Sequence, residues 1–433
     1  MSHRIVWPAL GAAVLLAGGC AGDSGSAEGS GRDGECVKAV DEDTGRTGDT
    51  CLPLAPRADR VDLAEPRFTH PTDIDNPLHP TAELDQTVYG GQVDGRPFRS
   101  EVTLMPGTKE ITFDGRTVHA LTSQYVAFSG GRIAEVALDW YAQADDGSVW
   151  YLGEDVLNYE DGVVADTEGT WQAGRDGAPA AMIMPADPAK GDVYRPENQP
   201  GVVFEEVRVK AVDRTVDGPY GDVTGAITVR ELHMDASTED KVFAPGYGEF
   251  STGTPDELEA VSLAVPADAR TGPVPRRLVE LDQAVDALYA DPGAPTARAA
   301  RDAWEAYRVS DAVPELLRTQ TSRDLDALSA SPADRAAALR LAQDVSDLRL
   351  PYEGADTVDR ARLALWARQL GVDARAGDEG SVAGDVTGLE LVWQRLDGDD
   401  PAVSAAVEQA RDAADRGDTG QAATVADRLL NAL

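Results

Sequence analysis

Cysteine is scarce in this chain, three in 433 residues, and histidine is little commoner at five. One of those histidines, His3, sits at the extreme start. Nucleophilic catalysis needs a nucleophile with a base in reach, and candidates for either are few. There is no Gly-x-Ser-x-Gly elbow and no Gly-Lys-Ser/Thr loop to cradle a phosphate. Positive charge is short as well: 39 Lys and Arg stand against 76 Asp and Glu, a net −37 with a pI near 4.3. That balance argues against nucleic acid, which is gripped by clustered Lys and Arg. It also argues against adsorption to anionic lipid by charge, and it attracts cations and basic partners. Beyond the first twenty residues no apolar run approaches the roughly 18 of a membrane-spanning helix.

What is present begins with an export signal over 1–19. His3-Arg4 is the positive start, and Ile5 to Ala17 is an apolar run too short to span a bilayer. The run ends Leu16-Ala17-Gly18-Gly19-Cys20, which resembles a lipobox. The resemblance implies cleavage before Cys20 and acylation of it with palmitate-type chains, on the outer face of the cell membrane. Each buried methylene adds about 0.8 kcal/mol to such an anchor. Lipidation uses one cysteine and leaves Cys36 and Cys51, an even pair in an exported chain, so a disulfide is expected. Residues 20–35 are Gly, Ser, Asp and Glu without periodicity, the composition of a flexible tether. Residues 36–67 read as a disulfide-stapled knob and a linker.

Residues 68–252 read as β structure. Asp-Gly recurs at Asp94-Gly95, Asp114-Gly115, Asp146-Gly147, Asp161-Gly162 and Asp217-Gly218, the chemistry of hairpin turns with positive φ. Alternating runs lie between them: Arg99–Leu104, Lys109–Phe113, Thr117–Ser129, Ile133–Gln143, Val149–Leu157, Val202–Val212 and Ala226–Leu232. A two-residue loop at Asp146-Gly147 would set Ala142 opposite Tyr151, Gln143 opposite Trp150 and Asp139 opposite Glu154. The proline-bearing stretch Met182 to Tyr194 is expected to interrupt the sheet as an edge-crossing loop. From 253 to 433 the period turns helical. Thr254-Pro255-Asp256-Glu257 has the chemistry of a helix start, and stripes such as Leu278, Leu281, Val285, Leu288 and Leu363, Trp366, Leu370 follow. Pro351 is one of the expected breaks. The fold class expected is multidomain α+β: an antiparallel β-meander (barrel, half-barrel or sandwich), then an all-α bundle of seven or eight helices.

Several motifs occur together over roughly 65–252: Phe68-Thr-His-Pro-Thr-Asp-Ile-Asp-Asn-Pro77, Asp139-Trp-Tyr-Ala-Gln, Val149-Trp-Tyr-Leu-Gly-Glu154, Glu168-Gly-Thr-Trp-Gln-Ala-Gly174 and Gly191-Asp-Val-Tyr194. In this combination the region resembles a family of exported bacterial lipoproteins of actinobacterial type. That family implies no activity, and this chain departs from it at His70 and Tyr247. The C-terminal part resembles helical regions of such lipoproteins, and it lacks the His-x-x-Glu motif of exported iron-uptake bundles.

Three constellations could carry function. Asp139 and Glu154, with Asp155 beside them, form an acid pair that could share a proton or hold Ca²⁺ with nearby carbonyls; a solvated sheet edge would splay the same side chains in water. His70, Asp73, Asp75 and His79 put four possible metal ligands within ten residues, although Asp and Asn in a Pro-ordered loop also bond their own backbone. Trp140, Trp150 and Tyr151 could form a ligand face, or the core of a β domain. The function expected is a noncatalytic envelope lipoprotein that binds or scaffolds, with an apolar or sugar ligand on the β domain. The alternatives are a glycan or ester hydrolase using paired carboxylates, and a divalent-cation-binding surface protein. An apolar carrier needs a cavity of several hundred Å³.

Overall fold

The computed structural model describes residues 35–433 except 42, 43, 255, 256, 311 and 399. The signal, Cys20 and most of the tether lie outside the described residues. A two-stranded ribbon, β1 (Lys38–Asp41) and β2 (Arg46–Cys51), comes first and is stapled by the Cys36–Cys51 disulfide. Its apolar residues Val37, Leu52 and Leu54 bury against Phe204 and Leu232. The knob is therefore docked on the large sheet, and the stretch expected as linker follows it down: Val61 donates its N–H to the Val193 carbonyl.

Two antiparallel meanders build one fourteen-stranded sheet. The first is β3 (Gln86–Val93), β4 (Arg96–Phe113), β5 (Arg116–Ser129), β6 (Arg132–Gln143) and β7 (Val149–Glu160). Short β8 (Val163–Asp166), β9 (Trp171–Gln172) and β10 (Ala181–Met184) each pair with β7. The second is β11 (Val193–Gln199), β12 (Val203–Gly218), β13 (Gly221–His233), β14 (Thr238–Ala244), β15 (Gly248–Thr254) and β16 (Glu257–Val265). Pairing of β16 with β3 joins the two. The edge strands β10 and β11 come into contact, yet the ladder does not close there.

Several details correct the sequence reading. Thr254 closes β15 and Glu257 opens β16, where a helix start was expected. The alternating Val261, Leu263 and Val265 pair with β3 instead, and long-range ladder and burial outweigh a local capping signal. The helical part accordingly begins at Arg276. Arg99–Leu104 and Lys109–Phe113 are one strand, irregular between Leu104 and Thr108. Asp217 and Gly218 lie in the ladder opposite Asp222 and Gly221, so the turn is at Pro219-Tyr220. The stretch from Met182 contributes the edge strand β10 before it loops.

The hairpin between β6 and β7 reaches its expected pairing by a different route. Gln143 faces Val149 and Ala142 faces Trp150, one residue out of the expected register. A bulge at Gly153 then restores Asp139 opposite Glu154. Gly153 has φ +123°, and a Cβ there would stand 2.4 Å from the Trp171 carbonyl oxygen of β9. Only glycine admits both the conformation and that approach.

Among the described residues, eight helices follow: α1 (Arg276–Ala290), α2 (Ala294–Arg308), α3 (Glu315–Ala330), α4 (Arg335–Glu353), α5 (Ala355–Ala376), α6 (Glu379–Arg395), α7 (Pro401–Asp415) and α8 (Thr419–Ala432). Pro351 does not break α4; it sits in its last turn. Helix α3 packs on β3 and β16, and α6 packs on β4 and β6. Val126, Phe128, Ile133 and Val136 of the sheet share one core with Leu363, Trp366 and Leu389 of the helices, and Phe128 stacks on Trp366 at 5.6 Å.

A charged network is buried in the same junction. Arg99 donates two hydrogen bonds to Asp347, at 2.7 and 2.6 Å. Arg362 reaches Asp347 and Asp359, both at 2.7 Å, and Glu101 at 3.3 Å. Arg395 pairs with Glu101 and donates to Gln124 at 2.6 Å. Three guanidiniums thus meet three carboxylates. Removing one partner leaves a buried charge uncompensated, which costs about 3–5 kcal/mol. Asp347→Ala is expected to lower the urea-unfolding free energy by that order; a loss under about 1 kcal/mol would show the network to be incidental.

Candidate functional site

The opposite face of the sheet encloses a cavity of about 100 Å³. The ladder fixes who points into it. Glu205 is directly opposite His233, Val207 opposite Glu231, and Glu231 opposite Glu239. Lys241 follows two positions after Glu239, on the same face. Glu197, Glu205, Glu231 and Glu249 line the cavity with Lys241, and so do the rings of Tyr89, Tyr141, Tyr151, Tyr194 and Tyr247.

Negative charge is in excess here. Lys241 Nζ lies 2.5 Å from Glu231 Oε2 and 4.0 Å from Glu249 Oε2. His233 Nδ1 lies 3.3 Å from Glu205 Oε1. Further acids crowd round. Glu259 accepts a 2.6 Å bond from Ser100, and Glu239 accepts from Thr252. Burial pushes Glu239, Glu249 and Glu259 up to about 7 from an ordinary 4.5. Glu197 is raised well above its usual range by burial, then by the charges of Glu205 and Glu154. Burial alone would lower His233. The hydrogen bond and charge of Glu205, with the charge of Glu231, carry it instead up to about 9.

The residues singled out in the sequence are placed as follows. Asp139 and Glu154 are opposite each other and fully buried. Tyr151 donates a 2.8 Å hydrogen bond to Asp139. Burial raises Asp139, and burial with the Asp139 charge raises Glu154, so burial favours the protonated form of both carboxyls. The solvated edge is thereby replaced by a buried one. Asp155 points away, exposed, into a groove beside α6 and α7. The loop from His70 to His79 does not gather its four candidates. His70, Asp73 and Asp75 are exposed; Asp75 bonds Gln143, and His79 bonds Thr81, packs on Tyr141 and is held down at about 4 by burial. Prolines stiffen that loop for packing, with the Asn76 side chain bonding backbone at Leu78, Gly147 and Pro185. Of the aromatic trio, Tyr151 lines the cavity. Trp140 and Trp150 are buried in the core, under Lys109 and bonded to Ser148 respectively.

Among the described residues, the group of acid and histidine side chains at metal-ligating spacing is Glu205, Glu231 and His233, whose ligand atoms lie within 4.8 Å of one another. The sequence reading passed over it. Its signal is faint but present: Glu231-Leu-His233 has the two-residue spacing that puts both on one strand face, and the expected strand stopped at Leu232, one residue short. No protein-family model, curated protein or solved structure matches the chain.

The raised carboxyls set a pH dependence. Glu239, Glu249 and Glu259 keep their protons in the fold up to about pH 7 and lose them near 4.5 when unfolded. The folded state therefore binds more protons between those values, and stability falls as pH rises through them. His79, lowered to about 4, acts in the opposite sense between 4 and 6.5, as one group against several. Thermal melting at matched ionic strength is expected to give a higher midpoint at pH 5 than at pH 8. The reverse order would mean that these carboxyls are ionised in the fold.

Proposed function

We propose that this chain is a cell-envelope lipoprotein, held at the outer face of the membrane by acyl chains on Cys20, whose β domain binds a small cationic ligand without catalysis. The observation that carries the binding half is the cavity wall: four glutamates and one lysine around about 100 Å³. Buried carboxylates must be protonated or paired. A cation entering this space replaces protons that the wall otherwise has to hold, and tyrosine faces add attraction for it. A cavity of this size suits a small cation better than a drug-sized apolar ligand, which needs about 300 Å³ or more. Hydrolysis by paired carboxylates finds less support, because Asp139 and Glu154 are buried outside the lining of the cavity. The anchor half rests on the lipobox-like run before Cys20 and on the Cys36–Cys51 bridge, which suits an oxidising compartment.

Two measurements test the two halves. Cells fed labelled palmitate should label the chain, and Cys20→Ala should abolish the label and release the protein from membranes; retention of both would remove the anchor. The purified full chain should show calorimetric binding of at least one of Ca²⁺, Zn²⁺, choline and putrescine. No heat from any of the four at millimolar concentration would remove the cation reading.

A further inference from the structure

We infer that Glu205, Glu231 and His233 are the protein ligands of a first-row divalent transition-metal ion. This names the cation class of the site proposed above and rests on that reading. The first ground is geometry. One ligand atom from each residue lies within 4.8 Å of the others. A zinc-like ion bonded at about 2.0–2.2 Å holds tetrahedral ligands about 3.4 Å apart, so side-chain closure by little more than 1 Å completes the triad. The three residues stand on neighbouring strands, and backbone pairing sets Glu205 against His233 and Glu231 two residues before it. A ladder is a stiff support for a ligand set.

The second ground is unused hydrogen-bonding capacity at the same place. Tyr194, fully buried and lining the cavity with Glu205 and Glu231, has a hydroxyl without a partner. Buried polar atoms are ordinarily satisfied. His233 Nδ1, 3.3 Å from Glu205 Oε1, is the nitrogen placed to ligate, and the open Tyr194 phenol on the cavity wall suits the water bound to an ion.

The donor set selects the metal. Calcium and magnesium favour shells made wholly of oxygen, whereas one imidazole with two carboxylates suits zinc, manganese, iron(II) or nickel. Three protein ligands leave a position open for water, and the cavity of about 100 Å³ has room for it. Lys241 is the resident counter-charge of the metal-free site, on Glu231 at 2.5 Å. Glu249 at 4.0 Å gives its ammonium a second acid to move to when the metal takes Glu231.

Cobalt(II) is the probe, with zinc as competitor, on the full chain freed of metal. One equivalent should bind and give the visible absorption of a low-coordinate site. His233→Gln and Glu231→Gln should each weaken binding at least about 10-fold, and Asp155→Asn, on the other face, should leave it unchanged. Because those two variants alter a buried network and could fail to fold, X-ray absorption on the zinc-loaded natural chain provides a second readout: one histidine nitrogen with oxygens is expected. An all-oxygen shell, or undiminished binding by folded His233→Gln, overturns the inference. If calcium, choline or putrescine binds and cobalt and zinc do not, the metal assignment falls and the cation reading stands. If nothing binds, both fall.

Discussion

Arg99, Arg362 and Arg395 meet Glu101, Asp347 and Asp359 where the helices lie on the sheet, three cations against three anions, each at most 7% exposed. A sheet usually shows one apolar and one wet face, but the strands of this one carry charge on the helix side and more charge within. The outward charges are neutralised by direct pairing. They also tie α4, α5 and α6 to strands β3 to β5 through directional bonds, which apolar packing alone would leave free to slide.

The inner face lacks that balance. Lys241 and His233 are set among Glu205, Glu231, Glu239 and Glu249, and Glu197 joins them from β11. The same sheet therefore handles buried charge in two ways: by pairing where the helices cover it, and by protons or a cation where it encloses space. At the Asp139–Glu154 pair, too, burial raises both carboxyls.

Much of this was legible in the residues. Asp94-Gly95, Asp114-Gly115 and Asp161-Gly162 do turn with both residues at positive φ, because their chemistry is local. The disulfide pairing and the helical stripes of α1 and α5 were equally readable. Three things were not. Strand β16 was masked by a helix-start signal at Thr254, since its partner β3 lies far off in sequence. The ion pairing of β4 gave no signal, because nothing near Arg99 announces Asp347. The acid–histidine triad is split between two strands, and only the ladder brings Glu205 to His233. What failed to show in sequence is in each case a pairing across long separation.

The meeting of β10 and β11 has a consequence of its own. Every other neighbouring pair along the wall is laced by main-chain bonds, and prying any of them apart would strand amides and carbonyls. At this seam the strands touch without such lacing. This seam is thus the place where the two meanders could part without breaking a main-chain ladder.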